Sequence, residues 1–128
     1  MKTNEKVIEA LNKLLKEELT AINQYMVHAE MAEDWGYEVY GKVEEKTAID
    51  EMKHAEKLIA RILFLEGLPI VSNLNKMHIA PKVEGMLTSD HAAEEGAIAA
   101  YNSAIKLCTE EADNGSREML EDILADEE

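Results

Sequence analysis

Glu51 and His54 lie three residues apart in a segment whose other inward positions are apolar, and this pair constrains the fold most strongly. Residues three apart on an α-helix project from the same side, and Leu58, Ile62 and Leu65 continue that side. A carboxylate and an imidazole in an apolar stripe are costly to desolvate unless partners compensate them. The pair therefore predicts a helix whose buried face carries a polar site, with other helices supplying the partners.

Apolar residues recur with helical periodicity along the whole chain, and glycine and proline are confined to a few breaks. The predicted helices span about 4–34, 37–66, 81–113 and from 116 to the end of the chain. We expect Asn4 to cap the first, Gly67-Leu68-Pro69 to end the second, Asn114-Gly115 to end the third and Ser116 to cap the fourth. On the third helix we expect an inward face made of Val83, Met86, Leu87, Glu94, Ile98, Tyr101, Ile105 and Cys108.

The connection lengths predict how these helices are arranged. The first and last pairs are joined by a few residues, so the members of each pair should be antiparallel neighbours. The connection over 67–80 is long enough to return along the bundle, so that the third helix runs parallel to the second. The fold class predicted for residues 1–128 is therefore all-α: one four-helix bundle domain with one long crossover. The fourth helix is expected to be truncated, since the sequence stops within its amphipathic pattern.

Each predicted helix carries one glutamate in its apolar stripe. These four residues are Glu18, Glu51, Glu94 and Glu127. Four buried carboxylates would repel one another and raise each other's pKa values, and a pair of cations between them is the simplest compensation. Oxygen ligands with an imidazole suit iron or manganese, and zinc can also bind; His54 would be the nitrogen ligand. Glu-x-x-His projecting into a bundle core is typical of di-iron carboxylate proteins.

Other polar and sulfur-containing side chains allow simpler interpretations. A single glutamate on an apolar face is usually a boundary residue with its carboxylate in solvent, and we expect His28 to lie on the exposed side of the first helix. Met52 follows Glu51 and so points about 100° away from the core. Spacing alone favours an ordinary subunit-interface methionine over a haem ligand at this position.

Composition excludes several classes of partner. The formal net charge is -14, from 27 acidic and 13 basic residues, which argues against nucleic acid and anionic membranes and favours cations. No stretch approaches the apolar length of a membrane span, and no signal peptide is evident at the start. The one cysteine, Cys108, permits no disulfide within the chain. We expect a cytoplasmic protein.

Three segments carry a resemblance to a known family. They are residues 11–25 (LNKLLKEELTAINQY), 49–56 (IDEMKHAE) and 61–69 (RILFLEGLP), and with them the chain resembles the bacterioferritins over essentially its whole length. The resemblance implies a ferritin-like subunit of a hollow iron-storage cage that oxidises Fe(II) to Fe(III) at a di-iron ferroxidase centre. Dioxygen or hydrogen peroxide would be the oxidant.

The resemblance also implies roles for individual residues. Glu51 and Glu127 would bridge the two irons, Glu18 and His54 would complete one iron, and Glu94 would belong to the other. Met52 matches the haem ligand, so that two subunits of a homo-oligomer would hold one b-type haem at a two-fold interface.

The chain departs from the family pattern at its C-terminus. Family members continue the fourth helix. At the position two residues beyond Glu128 they have a histidine that binds the second iron. A truncated form would be a haem-binding dimer or structural cage subunit with an impaired iron centre. A third interpretation is a di-iron oxidase or peroxidase of the same bundle class, although the lack of Cys-x-x-Cys argues against its rubrerythrin-like version.

Overall fold

The computed structural model describes residues 4–127, and four α-helices account for most of them. The helices are α1 (Glu5–Asp34), α2 (Glu38–Phe64), α3 (Val83–Glu110) and α4 (Asn114–Glu127). This confirms the all-α four-helix prediction. No helix in this range is both long and apolar enough to cross a membrane.

Helix neighbours and directions agree with the predicted topology. α1 packs against α2 and α3, and α4 packs against α3 and α2. Asn4 contacts Glu111, whereas Gln24 contacts Asp90, so α1 and α3 are antiparallel. Because α1 and α2 are also antiparallel, α3 runs parallel to α2, as the long crossover requires. The shared core lies between all four helices and contains Leu11, Leu15, Leu58, Ile62, Tyr101, Cys108, Leu120 and Ile123.

The crossover, residues 65–82, is fixed to α1 by polar side chains. The Asn12 side chain bonds the backbone of Leu68 and Ile70. Farther along α1, the Thr20 hydroxyl accepts the N–H of Asn75, at 2.9 Å. Each bond satisfies a backbone group that lies outside any helix or strand and so lacks their regular hydrogen bonds. The crossover therefore follows one face of α1.

The helix ends differ from the predictions in detail. Asn4 caps α1 as expected, accepting the N–H of Val7. Ser116 does not cap α4: Asp113 does, since its carboxylate accepts both the N–H and the hydroxyl of Ser116. Asn114 and Gly115 therefore lie inside α4, and the left-handed residue after α3 is Ala112, at φ 57°.

Two predicted side-chain positions were wrong. Leu87 is exposed, because the neighbouring Met86, about 100° away around the helix, takes the buried position. His28 is fully buried rather than exposed. Its ring bonds Asp90 on α3 and the backbone of Ala80 in the crossover, contacts that only tertiary packing creates.

Candidate metal centre

The predicted ligands of three helices meet in the core at one point. Oxygen atoms of Glu18, Glu51 and Glu127 and a ring nitrogen of His54 all lie within 4.8 Å of one another. Glu18 comes from α1, the Glu51–His54 pair from α2 and Glu127 from α4. We refer to these four residues as the Glu18–His54 cluster.

His54 lies at the middle of this cluster. Its Nδ1 is 3.2 Å from Glu127 Oε1 and 3.5 Å from oxygens of both Glu18 and Glu51. Its Nε2 is 3.3 Å from Asp126 Oδ2. Burial lowers the pKa of His54, but its contacts with the carboxylates of Glu127, Glu18 and Glu51 outweigh burial and raise it to about 12. The ring therefore carries a positive charge that offsets part of the surrounding negative charge.

Glu51 and Glu127 have raised pKa values because the core is dry and other acids are close. Burial raises the pKa of Glu51 to about 7, although the hydrogen bond to His54 opposes this. Burial is also the largest cause of the raised pKa of Glu127. A multivalent cation would replace proton and imidazolium as the compensating charge.

Glu18 is held by a residue whose role the sequence did not reveal. Its side chain is 1% exposed, and Oε1 accepts a hydrogen bond from the Tyr101 hydroxyl, at 3.0 Å. Oε2 has no hydrogen-bond partner within residues 4–127, although it faces His54. The sequence placed Tyr101 in the core, but nothing in its spacing indicated where the hydroxyl points.

Glu94 is not part of the tight group, although it lies beside it. It is half-buried on α3, and burial, Glu127 and Glu51 raise its pKa. Two cavities, of about 470 and 500 Å³, are both lined by Glu51, Glu94 and Glu127. These three carboxylates therefore form a wall that can be reached from two sides of the bundle.

The donor set fits a hard or borderline metal ion. Carboxylate oxygens and one imidazole are the ligands of iron and manganese, and Glu18 Oε2 is a buried oxygen that accepts no hydrogen bond from residues 4–127. The Glu18–His54 cluster could hold one such ion, and Glu94, with the outer sides of Glu51 and Glu127, could contact a second.

Met52 lies away from this centre, on the outer surface of α2. It is 39% exposed, and the neighbouring Ile49 is exposed to a similar degree. Met26 on α1 is also exposed. The structure therefore places Met52 on an outward face, as its spacing from Glu51 predicted.

Comparison with known proteins agrees with the fold. The family profile described as a ferritin-like domain matches residues 8–128. The bacterioferritin of Rhodobacter capsulatus is 44% identical over 128 residues, covering 100% of this chain and 80% of that protein. The bacterioferritin of Brucella melitensis biotype 1 is 41% identical with the same coverage, and that of Mycobacterium leprae is 37% identical over 95% of this chain and 77% of its own length.

The bundle and its buried carboxylates thus define a ferritin-like protein, and within that class the chain belongs to the bacterioferritins. Membership in this family supports a general role in iron storage.

Proposed function

We propose that the Glu18–His54 cluster and Glu94 form a di-iron ferroxidase centre that oxidises Fe(II) for storage as ferric mineral. The observation that carries this proposal is the meeting of three carboxylates and one imidazole within 4.8 Å in the core. Ferrous ions are the substrate, and each gives one electron to dioxygen or hydrogen peroxide. The protein supplies ligand geometry and a negative field that draws in cations.

The residues of the cluster have separate tasks in this proposal. Glu18, Glu51, Glu94 and Glu127 would bind iron through carboxylate oxygens, and His54 would bind one iron through a ring nitrogen. Both ring nitrogens of His54 face carboxylates, so each carries a proton that it donates to them. A cation that takes Nδ1 must displace its proton, so binding releases protons. Tyr101 would keep Glu18 in its binding orientation.

Replacement of the ligands tests this function directly. Glu18→Ala and Glu94→Ala should each abolish rapid Fe(II) oxidation. The rate is measured from the increase in near-ultraviolet absorbance after Fe(II) is mixed with the aerobic protein. Glu95→Ala is the matched control, because Glu95 is adjacent in sequence but exposed, and it should retain the parent rate. Unchanged rates in both ligand variants would refute the assignment of the centre.

We propose haem binding as a second function, at Met52. Its thioether is a ligand that haem iron accepts, and it is exposed, as are the apolar side chains of Ile49 on the same helix and Met26 on α1. Such a surface suits a partner subunit. In this proposal two copies of the chain would pair with a b-type haem between them, one Met52 on each side.

A conservative replacement separates haem binding from iron oxidation. Met52→Leu should remove the haem absorption bands and leave the rate of Fe(II) oxidation intact. Met77→Leu, in the crossover, is the control and should keep its haem. An unchanged haem spectrum in Met52→Leu would exclude Met52 as the ligand.

We also propose that the chain assembles into a closed cage of identical subunits. Large apolar side chains are exposed over much of its surface, with Val39 and Leu68 about four-fifths exposed. A monomer rarely leaves so many uncovered. Native mass spectrometry should detect a large homo-oligomer, and a monomer at micromolar concentration would contradict the cage.

A further inference from the structure

A second group of titratable side chains lies in the core, outside the Glu18–His54 cluster. His28 of α1, Glu44 of α2 and Asp90 of α3 bring possible ligand atoms within 4.8 Å of one another. Glu44 is 5% exposed and Asp90 is 7% exposed. Asp90 lies one helical turn before Glu94, but this group shares no residue with the Glu18–His54 cluster and is a second polar site in the same bundle.

Two donors fix the orientation of Asp90. The Ala80 N–H donates to His28 Nε2, at 3.2 Å. A ring nitrogen that accepts a hydrogen bond carries no proton, so Nδ1 carries the hydrogen and donates it to Asp90 Oδ1, at 3.1 Å. The Gln24 amide donates to the same oxygen, at 2.9 Å. Both donors therefore use Oδ1, and Oδ2 accepts no hydrogen bond from residues 4–127.

Three buried oxygens at this site have no hydrogen-bond partner in the part of the chain that the structure describes. Asp90 Oδ2 and Glu44 Oε2 are buried and have no hydrogen-bond partner among residues 4–127, and the same is true of the Tyr40 hydroxyl. Buried carboxylate oxygens are costly unless they are compensated. Burial and the neighbouring Asp90 raise the pKa of Glu44 to about 8. His28 is neutral in this arrangement and does not supply the missing positive charge.

We propose that Glu44 and Asp90 bind one hard divalent cation through these free oxygens, at a site separate from the Glu18–His54 cluster. Oxygen-only ligands favour Mn²⁺, Mg²⁺ or Fe²⁺ over softer metals. His28 and Gln24 are positioning residues, since they hold Asp90 through its other oxygen. His28 and Gln24 also bond the crossover, so the cation would join α2, α3 and the crossover.

The proposal is tested with Mn²⁺ as the probe and the whole chain as the protein. Bound metal is counted per chain after equilibrium dialysis, in a Glu18→Ala/Glu127→Ala background that removes the first centre. One Mn²⁺ per chain should remain, and Glu44→Gln should weaken its binding at least about tenfold. Glu45→Gln is the matched control, since Glu45 is adjacent but exposed, and it should leave binding unchanged.

Glutamine has the shape of a protonated glutamate but no negative charge. Glu44→Gln therefore keeps the packing of a protonated Glu44 and removes the charge that a cation would need. If the background binds no Mn²⁺, or if adding Glu44→Gln to that background leaves Mn²⁺ binding unchanged, Glu44 and Asp90 do not hold the cation and the proposal is wrong. If Glu44→Gln does not fold, as judged by loss of its helical circular dichroism, Asp90→Asn is used for the same Mn²⁺ measurement. Fe(II) oxidation is measured separately in the parent chain, so failure of the ferroxidase proposal would be distinguishable.

Discussion

The Tyr101–Glu18 hydrogen bond shows how one hydroxyl can organise a buried site. Glu18 is almost completely buried, and one of its oxygens has Tyr101 as its donor. Burial is the largest cause of the raised pKa of Tyr101, with the charge of Glu18 next. The tyrosine therefore stays protonated and remains a donor, and the second oxygen of Glu18 is left to face the other ligands.

Removing this hydroxyl should disturb the site without unfolding the bundle. Tyr101→Phe keeps the ring in the core but leaves Glu18 Oε1 without its donor, which should cost about 1–3 kcal/mol. The rate of Fe(II) oxidation should fall several-fold, and thermal unfolding should shift to lower temperature. Tyr37→Phe, at an exposed position, should change neither, and a parent-like rate in Tyr101→Phe would show that Glu18 needs no such support.

At the scale of the element, the start of α4 depends on one acidic side chain. Asp113 accepts two hydrogen bonds from Ser116 and pairs with Arg61 of α2, at 3.1 Å. These contacts satisfy an N-terminal N–H of α4 and fix that end of the helix to α2. Burial opposes ionisation of Asp113, but Ser116 and Arg61 outweigh it and lower its pKa.

Loss of this cap should destabilise α4, the helix that carries Glu127. Asp113→Ala should lower the free energy of unfolding by about 1–2 kcal/mol, measured by thermal unfolding at fixed protein concentration. Asp122→Ala, an exposed position on the same helix, is the control.

The effect of the Asp113 cap should also depend on pH. Because the folded pKa is lowered, the stabilisation is present above the ordinary pKa of an aspartate and is lost as the pH falls through the lowered value. The parent and Asp113→Ala should therefore converge in acid, and a difference independent of pH would mean that the ionised carboxylate is not responsible.

At the scale of the whole molecule, the net charge of -14 should steer cations toward the bundle. The initial rate of Fe(II) oxidation at limiting iron should fall at least about threefold when the Debye length shrinks from about 30 to about 8 Å with added salt. Stopped-flow absorbance at two concentrations of sodium chloride measures this. A rate independent of salt would mean that diffusion of iron to the centre is not limiting.

The same scale shows how far the sequence could predict the molecule. Hydrophobic periodicity, with the break at Gly67, was sufficient to predict four helices, and connection length was sufficient to predict their relative directions. The stripe positions of Glu18, Glu51 and Glu127 also predicted that these side chains meet, because each helix must turn its apolar face inward.

The burial of Glu44, by contrast, was not predicted. Charged residues lie near it on both sides, so its segment resembles a solvent-exposed one. The residues next to Asp90 in the sequence do not indicate its burial either. His28 appeared exposed because its partners, Asp90 and Ala80, lie more than fifty residues away along the chain.

The sequence by itself therefore determined the helices, their topology and the glutamates of the candidate centre, since these depend on periodicity and connection length. Only the tertiary structure decided which polar atoms face one another. Tyr101 on Glu18, His28 on Asp90, and the free oxygens of Glu44 and Asp90 are examples. The physical reason is that burial and hydrogen bonding depend on side chains brought together by packing, which no local pattern records.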